Sequence, residues 1–292
     1  MKHARLLSWI SLTALLFPGW SGRAQTLTVT NNLVLWLKAD SLTNTLSEGQ
    51  AVTAWADSSG SGNNTSTVAS NAPVFHASLF NGLPGLTFNG TSNFLGLTRV
   101  SLPAGLTYVA VFRTTNTDST RDYPLNAPLT LIGDHTGLIQ NGFGVGAGRG
   151  EYNNFTGANN RLTGATVVND GFPQVLALTH GSNAPGPINM YVKGLLDGST
   201  NSAYNSTFIG FDRIGGGVNI SPCCVGTADF FQGDVAEVLV YSTVLSGSQR
   251  WDAYEYLVAK YAIPEPGTMG LVLAGAALLW RRRGKWQYGV SE

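Results

Sequence analysis

GDVAEVLVYSTVLSGSQRWDAYEYLVAKY, residues 233–261, is the stretch whose reading decides the fold. Val235 through Tyr241 reads as a strand. Ser246 followed three residues later by Gln249 is a capping-box start, in which each side chain satisfies a backbone donor at a helix terminus. Tyr254, Leu257, Val258 and Tyr261 then fall at i, i+3, i+4 and i+7 and form one apolar stripe. Pro264 ends the helix, which is expected to pack against the edge of a sheet structure and close the domain.

Upstream the dominant period is two, not 3.6. Leu33-Val34-Leu35-Trp36-Leu37, Tyr108-Val109-Ala110-Val111-Phe112, Gln174-Val175-Leu176-Ala177-Leu178 and Ile188 with Met190 and Val192 read as strands. Clusters of Asn, Gly, Ser, Thr and Pro separate them and favour turns. Many short strands without intervening helices predict an all-β fold, sheet packed on sheet, with one C-terminal helix. No repeat of fixed period stands out, which argues against a propeller or β-helix.

Composition sets the outer bounds. The 292 residues include 17 Lys plus Arg against 17 Asp plus Glu, 43% hydrophobic and 12% charged. That is about half the roughly 25% charge of an ordinary soluble domain. A disordered chain needs low hydrophobicity with high net charge, and a nucleic-acid binder needs a basic excess, so both classes are excluded.

Both ends read as addresses. Lys2, His3 and Arg5 precede an apolar run from Leu6 to Phe17, and Gly22-Arg23-Ala24 places small residues before Gln25. This is the pattern of a secretory signal cleaved after Ala24 by signal peptidase. A dozen apolar residues are short of the ~20 that span a bilayer core. At the other end Pro264-Glu265-Pro266 forces an extended segment, followed by apolar Met269 to Trp280 and then Arg281-Arg282-Arg283. Arginines there hold the end of a short apolar helix at the cytoplasmic face. Seven of the 17 basic residues and two of the 17 acidic ones lie in these end segments. Residues 25–263 therefore keep 10 basic and 15 acidic residues, a net charge of about −5.

The order Pro264-Glu265-Pro266, short apolar helix, Arg281–Arg283 resembles the PEP-CTERM sorting signal of Gram-negative bacteria. The resemblance implies an exosortase-type processing enzyme as partner, transient contact with the inner membrane through the C-terminal helix, and delivery to the cell surface or extracellular matrix. The extra tail Gly284 to Glu292 departs from the usual pattern. Within 25–263, LVLWLKADSL (33–42), AWADSSGSGNN (54–64), NGLPGLTFNGTSNFLGL (81–97) and the 233–261 stretch resemble the laminin-G-like, concanavalin A-type jelly-roll modules of bacterial surface proteins. That resemblance implies two curved antiparallel sheets but no particular activity, since the fold hosts lectins, adhesion modules and glycosidases alike.

Catalytic patterns are thin. A glycosidase needs two carboxyl groups about 5–10 Å apart. The laminarinase-type hydrolases on this fold carry a clustered acidic set, and no Glu-x-Asp-x-x-Glu pattern occurs here. The only glutamates in 25–263 are Glu48, Glu151, Glu237 and Glu255, and Asp234 and Glu237, three apart, are expected on opposite faces of a strand. His76, His135 and His180 form no His-Glu-x-x-His pair, and there is no Gly-x-Ser-x-Gly elbow. The glycine run 142–150 lacks a Lys-Ser/Thr and a following helix, so alternating glycines fit a bent or closely packed strand better than a phosphate loop. Cys223 and Cys224 are neighbours, with Cα atoms about 3.8 Å apart, below the ~4.4–6.8 Å a disulfide prefers. No catalytic residue is expected, a structural calcium ion is the one cofactor candidate, and the protein is expected not to be an enzyme.

Two binding chemistries remain. Jelly-roll modules of this kind often hold a structural calcium ion, and the turn Asp57–Asn64 places oxygen side chains at alternate positions, with a hydrogen-bonded Asx turn as the simpler reading. The calcium candidates are Asp57, Asn63 and Asp234, the last because related modules place a metal-ligating Asp before the Glu of the final strand, where Ala236 stands here. Sugar binding would use aromatic rings in polar loops: Tyr123, Tyr152, Phe155 and Tyr204. The expectation is an exported, non-catalytic surface or matrix module that binds polysaccharide or a surface protein. The alternatives are a structural exopolysaccharide-matrix component without a dedicated ligand, or a divergent glycosidase or lyase.

Overall fold

The computed structural model describes residues 26–102, 104–116, 129–134, 140–155, 159–181, 186–202, 210–216 and 230–263. Both end segments, with Ala24, Pro264, Glu265, Pro266 and Arg281–Arg283, lie outside them, as do Tyr123, His135, Tyr204, Cys223 and Cys224.

Among the described residues, sixteen strands and one α-helix follow in order. They are β1 (Leu33–Lys38), β2 (Ala54–Trp55), β3 (Thr65–Ser66), β4 (Val74–Phe80), β5 (Leu83–Asn89), β6 (Leu95–Ser101), β7 (Leu106–Arg113) and β8 (Leu129–Gly133). Then come β9 (Gln140–Gly146), β10 (Arg149–Phe155), β11 (Asn159–Val167), β12 (Gln174–His180), β13 (Gly186–Val192), β14 (Leu195–Ser202), β15 (Gly210–Ile214), β16 (Gln232–Tyr241) and α1 (Gly247–Tyr261). One sheet runs β14-β13-β12-β7-β16-β5-β4 with β1 also paired to β16, and the other runs β11-β10-β9-β8-β15-β6-β3-β2. Every pairing between these strands is antiparallel. The expected jelly-roll sandwich is the fold observed.

Tight turns set the registers. Asn81-Gly82, Ala147-Gly148 and Lys193-Gly194 all have positive φ at both positions, the geometry whose twist matches two antiparallel strands. They join Phe80 to Leu83, Gly146 to Arg149 and Val192 to Leu195 across the hairpins. The glycine run thus forms the strands of a hairpin. Gly150 faces the core, where any Cβ would meet the Met190 sulfur and Leu176.

The first sheet is apolar on both faces. Leu35, Leu37, Tyr108, Ala110, Phe112, Leu176, Leu178, Val238 and Val240 point between the sheets. Val109, Val111, Val175, Ala177, Leu239 and Tyr241 form a second cluster with Tyr254, Leu257, Val258 and Tyr261 of α1. The helix therefore covers the outer face of the central strands, not the edge of the sandwich. The unbroken apolar runs at 108–112 and 238–241 are what a strand buried on both sides requires. The capping box is present as expected, with Gln249 N donating to Ser246 Oγ at 3.3 Å and Ser246 N to Gln249 Oε1 at 3.0 Å.

A bulge in β16 corrects one expectation. Register with β7 shifts between Val235 and Glu237, so Ala236 and Glu237 both turn toward α1. Asp234 lies on the same outer face, because the extra residue offsets the alternation. Its carboxylate bonds Arg113 Nε and Thr87 Oγ1, each at 2.5 Å.

Glu237 is buried beneath the helix. Its Oε1 accepts from Trp36 Nε1 at 2.6 Å and Tyr256 hydroxyl at 2.9 Å. Its Oε2 accepts from Lys260 Nζ and Tyr261 hydroxyl, both at 2.8 Å. Lys260 also pairs with Asp40 at 2.9 Å. Burial first, and then the Glu237 charge, push the Tyr256 and Tyr261 phenols far above their ordinary range. Glu237→Ala would remove the acceptor shared by the two buried phenols, Trp36 and Lys260, the last keeping only Asp40, so a loss of about 3–5 kcal/mol is expected in denaturant unfolding. Lys260→Met leaves the buried Glu237 carboxylate with three neutral donors and no cation, and should cost a similar amount, about 3–5 kcal/mol.

Candidate functional site

The 57–64 loop is built around one carboxylate. Asp57 Oδ1 accepts from Trp36 N at 2.9 Å and Ser59 N at 2.8 Å, and Oδ2 from Ser59 Oγ at 2.8 Å and Asn63 N at 3.0 Å. Asn63 Nδ2 donates to Val34 O at 2.6 Å, and Ser58 N to Trp36 O at 2.8 Å. The loop is thereby pinned along β1 by an Asx-type turn. Protein donors occupy both oxygens of Asp57, and Asp234 is bound to Arg113 and Thr87, so these residues do not fit a shared calcium ion. Among the described residues no three His, Cys, Asp or Glu side chains gather in a group that would hold a metal.

Tyr152 also departs from its expected place. It lies in β10, not in a polar loop, opposite Phe143 and fully buried between the sheets. Glycine and polar neighbours in GRGEYNNF disguise a strand whose inward positions are Gly150 and Tyr152. Phe155 is the last residue of β10, and its side chain lies outside the described residues. Sugar-stacking at Tyr152 is thus excluded by burial.

Exposed apolar surface gathers elsewhere. Seven large hydrophobic side chains among the described residues are exposed; Leu195 and Leu196 directly follow the β13–β14 turn, Trp251 packs over it, and Val167 and Phe172 lie on neighbouring segments at the same end. Any Cβ on Gly194 would meet the Trp251 ring at 2.8 Å and Tyr254 at 2.9 Å. Thr166, beside Val167, bonds Asp197, beside Leu196, through N and Oγ1. Phe172 lies three residues before Val175, whose carbonyl accepts from Lys193 N at 3.0 Å. These links place all five on one end of the sandwich.

Trp251 is fixed although 40% exposed. Its Nε1 donates to Glu255 Oε1 at 2.8 Å, and its ring lies 5.2 Å from that of Tyr254. Arg250 stacks on Tyr191 at 3.7 Å beside it. The side-chain entropy that a ligand contact would cost is already reduced by these restraints. Sequence reading missed this rim because Trp251 sits in the capped first turns of a helix whose stripe is apolar, and Phe172 in a short turn. Only their juxtaposition with Leu195 and Leu196 marks them.

Asp57→Ala should lower the unfolding free energy by about 1.5–3 kcal/mol, since hydrogen bonds to a charged group are lost. Chelator followed by calcium should leave the Tm of the full chain unchanged; a rise in Tm on adding calcium would contradict the donor assignment at Asp57.

No protein-family model matches the sequence, and no curated protein matches it. Among solved structures, the chain is similar to domain 4 of the extracellular arabinanase AbnA from Geobacillus stearothermophilus, solved with arabinotriose: TM-score 0.49, 15% identity, 76% of this chain and 98% of that one. It is similar to Trypanosoma rangeli sialidase solved with sialic acid, with TM-score 0.47, 18% identity, 76% of this chain and 32% of the other. A third is the binding domain of botulinum neurotoxin DC solved with rat synaptotagmin II, with TM-score 0.53, 9% identity and coverages of 79% and 52%. The chain spans about a third of the sialidase and half of the toxin domain. At 9% identity the likeness to the toxin domain is one of fold, the β-sandwich.

Proposed function

We propose that this is an exported, non-catalytic, laminin-G-like binding module of a bacterial surface or matrix, engaging a glycan through the rim at the β13–β14 turn. The observation that carries it is the exposed Trp251 packed over the β13–β14 turn beside exposed Leu195 and Leu196, with Phe172 and Val167 exposed at the same end of the sandwich. An exposed apolar rim of this kind marks an interaction surface in a soluble domain. Trp251 and Phe172 supply flat rings for a pyranose face, and Arg250, Glu255 and Lys193 stand nearby as partners for hydroxyl groups.

Several carboxylates have structural employment: Glu237 holds α1, Asp57 its loop, Asp234 Arg113, and Asp134 Arg99 at 2.6 Å. That supports recognition over hydrolysis. A second reading, a surface protein as ligand, is favoured by the aliphatic share of the rim, Leu195, Leu196 and Val167. The export part of the reading rests on the segments 1–24 and 264–292, with Ala24 and Pro264-Glu265-Pro266 as processing positions.

The full chain should bind at least one member of a polysaccharide panel that includes the producer's own polymer. Phe172→Ser with Leu196→Ser should weaken that binding more than tenfold while Tm moves little, because both side chains are more than 60% exposed. Binding to a surface protein with the same sensitivity selects the second reading. Binding that ignores the double variant sinks the rim, and absence of any binding sinks the module.

A further inference from the structure

His180 ends β12 and is fully buried. Its Nδ1 lies 2.7 Å from the carbonyl oxygen of Gly181. A carbonyl only accepts, so Nδ1 carries the proton and donates, and Nε2 presents a bare lone pair. That Nε2 is buried and has no hydrogen-bond partner. Across the sheet His180 stands opposite Leu106 of β7 and Ile188 of β13. From the facing sheet Tyr152 of β10 meets its ring edge-on, centroids 5.9 Å apart.

The titratable group in contact with it is the phenol of Tyr152 on β10, and Tyr108 of β7 lies opposite Leu178, two residues before it. Tyr108 donates its hydroxyl to Gly210 O at 3.1 Å. The Arg99–Asp134 pair acts on Tyr108, whose phenol is raised well above its ordinary value by burial before any charge. On His180 itself, burial lowers the pKa and only the Gly181 carbonyl opposes it.

We propose that His180 is an acid-sensitive clasp: taking up a proton at Nε2 places a cation at a buried position without an acceptor, and the β12–β13 end of the sandwich opens in response. The direction follows from linkage. The unfolded imidazole takes its proton near 6.5, and the buried one only at lower pH. Stability is therefore fully present above 6.5 and falls as pH drops through and below that value, until the buried ring is protonated too. In that window the folding equilibrium constant should fall about tenfold per pH unit from this residue. Opening at this end would expose Tyr152.

Three measurements on the full chain test the clasp. Unfolding free energy from pH 8 to pH 5 should lose a one-proton dependence in His180→Phe and in His180→Gln. Amide exchange within 174–192 should accelerate at pH 5 ahead of β7 and β16. Should neither variant fold, the wild-type exchange profile and the ring resonance of His180 decide. Coincident pH profiles for wild type and variants, or a His180 ring that titrates at its ordinary value in the folded chain, would overturn the proposal.

Discussion

One carboxylate holds the architecture together. Glu237 takes four donors under α1, from a strand near the N-terminus and three positions on the helix, with Trp36 lying 201 residues away in sequence. Desolvating that charge is unfavourable, and the cost is met only when β1, β16 and α1 are all in place. The same contact makes the helix a second cover for a sheet that already has one apolar face against the core. Without it Val109, Val111, Val175 and Leu239 would face water.

Much of this was legible from local pattern. The strand at 235–241, the capping box at Ser246–Gln249 and the stripe Tyr254, Leu257, Val258 and Tyr261 follow from periodicity and end chemistry, which act within a few residues. The position of α1 was half legible. The stripe announces a buried face, but only the apolar stretches 108–112 of β7 and 238–241 of β16 reveal that the central strands need cover on both sides. The bulge at Ala236 was not legible, because one extra residue in a strand changes no composition. Its effect is to bring Asp234 and Glu237 onto the face that alternation had divided between them.

The exposed apolar rim was illegible for a different reason. Val167, Phe172, Leu195, Leu196 and Trp251 come from four separate segments, and each is unremarkable where it stands in the chain. Tyr152 fails in the opposite sense, since its polar neighbours imitate a loop while alternation sends it inward. A surface is a property of the assembled sheet order, and the order β14-β13-β12 is what brings the hairpin turn beside the start of α1. The arrangement leaves a rigid body with hydrogen-bonded acids inside and apolar side chains at one end.

The loop pinned by Asp57 has a wider consequence. It lies along the side of β1 that no strand pairs. The segment around Gly49–Val52 does the same for β4, through Phe75 N to Gln50 O at 2.8 Å and Val52 N to Pro73 O at 2.8 Å. At the opposite border Asp197 on Thr166 draws β14 against β11. Open strand borders are templates on which further chains can add by backbone pairing. With β1 and the start of β4 lined from within, those two borders offer fewer free backbone groups on which another chain could add as a strand.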